Sequence, residues 1–171
     1  MHIDFAQSDQ WSDDFLVDLK RTLGAWTVRL GDLDRDAITD HCEGISVRIR
    51  AHRYLEQFPD DITIRYQRPS GAATEFDRIM AGDGRYMLYG FPSSDNRRLA
   101  AYTILDLRVL RSWVYRFMTA NRGALPGKIH DGAAEDEARF LVLNRRNVPA
   151  NAIVVRRGFA GAPDITRGRA A

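Results

Sequence analysis

A chain of 171 residues, 44% hydrophobic and 28% charged, carries enough apolar side chain for an ordinary globular core, which excludes a disordered, collagen-like or coiled-coil protein. The net charge is only +2, yet residues 1–44 hold 10 acids against 4 bases and the remainder 13 acids against 21 bases, so a polyanion would meet the later part of the chain. Of the 25 Lys and Arg residues only Lys20 and Lys128 are lysines, a bias that GC-rich coding produces without selection for function.

Cys42 is the single cysteine, so no intrachain disulfide forms. Residues 1–10 lack a basic and apolar leader, and no run approaches the roughly 18 apolar residues of a membrane span. A cytoplasmic protein that does not enter the membrane is expected.

Ser12, Asp13 and Asp14, followed by Phe15, Leu16, Leu19 and Leu23 at helical spacing, predict a helix over 12–23 that Gly24 ends. Trp26, Val28 and Leu30 alternate with polar residues and predict a first strand; Ile45, Val47 and Ile49 predict a second. Ile62, Ile64 and Tyr66 form a third, closed by the turn Pro69-Ser70-Gly71. A helix over 72–81 turns Phe76, Ile79 and Met80 inward and stops at Gly82. Strands over 86–91 and 100–105 follow. Asp106 then caps a helix whose inward stripe is Val109, Leu110, Trp113, Val114 and Phe117. Residues 122–137 read as a loop, and 140–143 and 152–155 as two strands joined across Asn147-Val148-Pro149. The sum is one α/β (α+β) domain over 1–157, a mixed, mainly antiparallel sheet flanked by helices, with a flexible basic tail over 158–171.

No Walker-type phosphate loop, G-x-G-x-x-G, H-E-x-x-H or paired C-x-x-C is present, so NTPase, dehydrogenase and zinc-protease readings drop out. Asp40-His41-Cys42-Glu43, with His52 nearby, offers metal-capable types, but neighbours in extended chain point to opposite sides and zinc-site spacing is missing. Gly82-Asp83-Gly84 reads as a plain turn.

Arg48, Arg50, Arg65 and Arg68 fall on the polar faces of two strands expected to be neighbours. Beside the Pro69-Ser70-Gly71 turn they read either as a surface for nucleic-acid phosphates or as a solvated face paired with Glu56, Asp60 and Asp61. Arginines 139, 145, 146, 156, 157, 167 and 169 make a second basic region.

The order helix, three strands, helix, strand over 12–91 resembles the restriction-endonuclease-like core of the PD-(D/E)-x-K nuclease superfamily. The resemblance puts Asp40 at the superfamily's aspartate and Thr63-Ile64-Arg65 at its acid-x-lysine, a hydroxyl for a carboxylate and an arginine for a lysine. It implies that Asp40, with Asp61 or Glu75 as the replacement acid, holds a Mg²⁺ that activates water while Arg65 stabilises the phosphorane. Two functions stand: a nucleic-acid-associated protein with a nuclease-like core, catalytic or reduced to binding, and a protein-interaction module. The second would be an accessory or inhibitor protein of a mobile genetic element, docking through the acidic segment Asp32-Leu33-Asp34-Arg35-Asp36.

Overall fold

The computed structural model describes residues 12–31, 45–132, 138–161 and 164–166. In chain order the elements are α1 (Asp13–Gly31), β1 (Ile45–Ile49), α2 (Arg53–Gln57), β2 (Asp61–Gln67), α3 (Glu75–Ala81), β3 (Tyr86–Pro92), β4 (Leu99–Asp106) and α4 (Leu107–Ala120). They continue with β5 (Lys128–Asp131), β6 (Arg139–Asn144), a 3-10 turn (Ala150–Ala152), β7 (Ile153–Arg157) and β8 (Ile165–Thr166). The fold is α+β, with a five-stranded mixed sheet in the order β1-β3-β4-β7-β8 and a three-stranded antiparallel sheet in the order β2-β6-β5. Two compact units share the chain: Met1–Pro59, Tyr86–Leu105 and Ile153–Ala171 make one, Asp60–Arg85 and Asp106–Ala152 the other.

In the first unit the strand expected over 26–30 is helical instead, because Phe15, Leu19, Leu23 and Trp26 continue one buried 3.6-residue stripe straight through Gly24. That stripe packs on Ile45, Tyr86, Leu88, Ile104 and Val155 of the sheet. Trp26 Nε1 donates to the Tyr102 hydroxyl (3.1 Å), and Asp18 Oδ2 accepts the Leu99 N–H (2.8 Å), so the helix is tied to β4 by polar bonds as well. β1 runs parallel to β3 with Val47 opposite Leu88 and Arg48 opposite Tyr89, and its position at the end of the strand order makes it an edge. Ile45, Val47 and Ile49 face the α1 core, which puts Arg48 and Arg50 on the other side of the sheet. Residues 164–166, expected in a flexible tail, include β8 and pair with β7.

The second unit is built on the antiparallel pair β2 and β6, with β5 added inside the stretch read as loop. Ile62, Ile64, Leu141 and Leu143 form its buried side. Thr74 caps α3 in a reciprocal box with Asp77, and Gly82, at φ 106°, closes that helix in the left-handed conformation a side chain would strain. Asp106 accepts the Arg108 and Val109 N–H groups at the start of α4, as expected. The buried residues of α4 are Leu107, Leu110 and Val114; Trp113, expected at the centre of the stripe, is half-buried and lies at its margin with its ring 6.3 Å from that of Phe117. β6 and β7, expected as a hairpin across Asn147-Val148-Pro149, belong to different sheets.

Candidate nucleic-acid interface

The strands bearing the four candidate arginines are not neighbours. β1 pairs with β3 and β2 with β6, so Arg48 and the adjoining Arg50 go with one sheet, Arg65 and the adjoining Arg68 with the other. Alternation along each strand is legible in sequence, whereas partner choice is a long-range property that alternation does not encode.

Around Arg50 the first unit gathers cationic side chains. Its backbone N–H donates to Gly90 O (2.9 Å), fixing the end of β1, and its guanidinium carbon sits 3.9 Å from the Tyr54 ring centroid. Nη1 of Arg50 also donates to the Tyr89 hydroxyl at 3.5 Å. From the next turn Arg53, exposed, places its guanidinium carbon 5.1 Å from the same Tyr54 centroid and donates from Nη2 to the Tyr54 hydroxyl at 3.5 Å. Arg48, half-buried, occupies the same sheet face as Arg50 two residues earlier.

The electrostatics of Tyr54 report this concentration of positive charge. The hydrogen bond from Arg53 and the charges of Arg53 and Arg50 outweigh burial, which acts the other way, and hold the phenol below its ordinary value. α2 is pinned in place by His52, whose Nδ1 lies 2.8 Å from Pro92 O. A carbonyl only accepts, so Nδ1 carries the hydrogen, and Nε2 faces Glu56 Oε1 at 3.4 Å. Tyr54, with Tyr66, Tyr86 and Tyr89, reads from the sequence as a base-stacking candidate or as core, whereas Arg53 carries no such signal. The spacing Arg50-Ala51-His52-Arg53-Tyr54 puts a helical turn directly after the strand end and brings both arginines to the Tyr54 ring.

In the second unit Glu75 Oε2 accepts the Arg65 N–H at 3.1 Å, so this carboxylate closes a backbone donor on the side of β2 that has no partner strand among the described residues. Asp61 begins the same strand. Four residues of extended chain separate it from Arg65, about 13 Å, whereas two carboxylates sharing one Mg²⁺ each lie within about 2.1 Å of the ion. Asp61 and Glu75 are therefore not brought together as metal ligands. Asp40, with His41, Cys42 and Glu43, lies outside the described residues, among which no three His, Cys, Asp or Glu side chains gather to hold a metal. The implied pairing of Asp40 with Asp61 or with Glu75 thus turns on a residue outside the described ones.

The turn after β2 is no anion cradle either. Gly71 N–H is used by Arg68 O (3.1 Å) and Ala72 N–H by Ser70 Oγ (3.4 Å), while α3 begins only at Glu75 behind its own Thr74 cap. Of the acids suggested as partners for these arginines, Asp60 binds Arg145 and Arg146 instead. Arg65 leans over the Phe140 ring, its guanidinium carbon 5.9 Å from the centroid.

The element order also differs from the one that carried the nuclease resemblance, since a single helix replaces the first helix and strand and α2 separates the next two strands. Compared with family models, curated proteins and solved structures, the chain matches none. No helix among the described residues is long and apolar enough to cross a membrane.

Proposed function

We propose that this α+β protein is a nucleic-acid-associated protein that binds phosphate backbone through Arg48, Arg50 and Arg53 around Tyr54. The observation that carries the reading is the convergence of Arg50 and Arg53 on one phenol, whose titration their hydrogen bonds and charges hold below its ordinary value. A phosphate oxygen is a stronger acceptor than a phenol and would take the same donors, with the planar forks offering two bonds each. The reading is one of binding and invokes no metal-dependent step.

The test is fluorescence anisotropy of labelled single-stranded and duplex oligonucleotides from about 50 to 200 mM salt, where phosphate contacts dominate the salt dependence. Binding that weakens steeply with salt, with a slope reduced by about 2 in the Arg50→Ala/Arg53→Ala variant, supports it, because each lost phosphate contact removes about 0.9 of a released counterion. No binding at the lowest salt, or an unchanged slope in the folded double variant, overturns it and leaves the protein-interaction module as the reading to pursue.

A further inference from the structure

The register of the three-stranded sheet sets Arg65, Phe140 and His130 side by side across β2, β6 and β5. Directly paired residues of antiparallel strands share a face, so this row lies opposite the buried side made by Ile64 and Leu141. Two residues further along, Lys128 opposes Val142 on the same face, about 7 Å from His130. His130 and Lys128 are exposed, and Arg65, Phe140 and Val142 are half-buried. Asp131, in the adjacent row, is matched by Arg139 at 3.1 Å. The face thus sets the Phe140 ring beside Arg65, His130 and Lys128, with Thr63 buried next to Val142.

We infer that this face is a stacking platform for an unpaired base of single-stranded nucleic acid, with the base on Phe140 and flanking phosphates on Arg65 and Lys128. The inference rests on the nucleic-acid reading above and names its substrate class. A duplex covers both faces of each base by stacking, and so has no ring to offer to Phe140; a single strand splays bases out at little cost. Arg65 already sits at cation-π distance from Phe140, so its guanidinium plane can share the base as well as neutralise a phosphate. Sequence periodicity did not reveal the platform because Lys128-Ile129-His130-Asp131 has one apolar residue, and it becomes a strand only by pairing with β6.

The experiment compares wild type and Phe140→Leu, which keeps an apolar side chain and removes the ring, on 15-nucleotide deoxythymidine, uridine and duplex DNA probes. The expected result is a loss of at least about fivefold in affinity for both single strands, the lower bound of one lost base stack, with duplex affinity unchanged. Ultraviolet crosslinking of a bromouracil-substituted strand to wild type, followed by peptide mapping, should mark the segment containing Phe140 and needs no variant to fold. An unchanged ratio of single-strand to duplex affinity in Phe140→Leu, or a crosslink that maps outside β2, β5 and β6, overturns the platform while leaving the arginine site standing. Failure of wild type to bind any of the three probes overturns the nucleic-acid reading itself, and the platform with it.

Discussion

Arg145 donates from Nη2 to Asp60 Oδ1 across 2.7 Å while its backbone N–H donates to the Asp60 carbonyl, so the residue after β6 is tied twice to the residue before β2. Arg146 Nε reaches the other carboxylate oxygen at 2.6 Å. Arg145 is 5% exposed, so its guanidinium is a buried charge of the second unit with Asp60 as its counterion.

Replacing Asp60 by Asn leaves that guanidinium without its counter-charge and should cost about 3 kcal/mol, the lower end for breaking a buried pair because Asp60 keeps some contact with water. Burial alone would raise the Asp60 carboxyl, but the hydrogen bond and charge of Arg145, joined by Arg146, hold it below the ordinary range. A depressed folded pKa gives stability that is present above the unfolded value of about 3.9 and is lost as pH falls through the folded value. Urea denaturation at pH 7 and again near pH 3 should therefore show the gap between wild type and Asp60→Asn narrowing in acid. A gap of constant size would mean that shape, not charge, is what Asp60 contributes.

Gly24 lies inside α1, exposed, and a Cβ built on it meets nothing within 4 Å. Gly24→Ala should then raise stability by about 0.5 to 1 kcal/mol, since alanine has less backbone entropy to lose and nothing to displace. Thermal unfolding of the variant checks this directly. A drop in melting temperature would place the end of the helix at Gly24 after all.

The same glycine shows why part of the fold was legible and part was not. Asp106 as a cap, Gly82 as a stop and the alternation of β1 and β2 are local signals, and each lies in the structure where its chemistry places it. Trp26 opens an alternating run in the sequence and also continues the helical stripe from Leu19 and Leu23, and only packing against the sheet decides between them. Strand partners are decided by distant contacts, so one expected sheet became two and the four strand arginines separated. The candidate site was legible in part: Arg48 and Arg50 show in their polar face and Tyr54 as an aromatic beside them, whereas Arg53 adjoins them through a helical turn too short to leave a periodic signal.

Thr103 is 1% exposed in β4, and its hydroxyl has no hydrogen-bond partner among the described residues. A buried hydroxyl without a partner forfeits its hydration for nothing, so Thr103→Val, which keeps the shape and removes the polar atom, should be neutral or stabilising by up to about 1 kcal/mol. Chemical denaturation measures the difference. A loss above about 1 kcal/mol would show that the hydroxyl is satisfied, by an internal water for instance.

On α4 the buried positions and the marginal aromatic should part company. Leu110 is fully buried, and Leu110→Ala should cost about 2 to 5 kcal/mol through lost transfer energy and the cavity left behind. Trp113 is larger but half-buried, so Trp113→Ala should cost less than Leu110→Ala despite removing more atoms. Denaturation of the two variants side by side settles the order, and the reverse order would return Trp113 to the centre of the core.

Tyr54 offers a probe of the arginine cluster that needs no assay of function. Arg53 donates to its hydroxyl and Arg50 covers its ring, and these interactions hold the phenol below its ordinary value of about 10. A phosphate bound by the same two guanidinium groups competes with the phenolate for them, so saturating oligonucleotide should move the Tyr54 titration upward. Linkage makes the effect reciprocal: wild-type affinity should fall as pH rises through the Tyr54 titration, because ionising the phenol places a negative charge among the phosphate's donors. Tyr54→Phe has no such charge and should keep its affinity through that window. The measurement is the tyrosinate absorbance of wild type minus that of Tyr54→Phe, with and without oligonucleotide, alongside anisotropy of both proteins across the same pH range. A Tyr54 titration that stays in place at saturating oligonucleotide would mean that the phosphates sit away from Arg50 and Arg53, whatever the overall affinity.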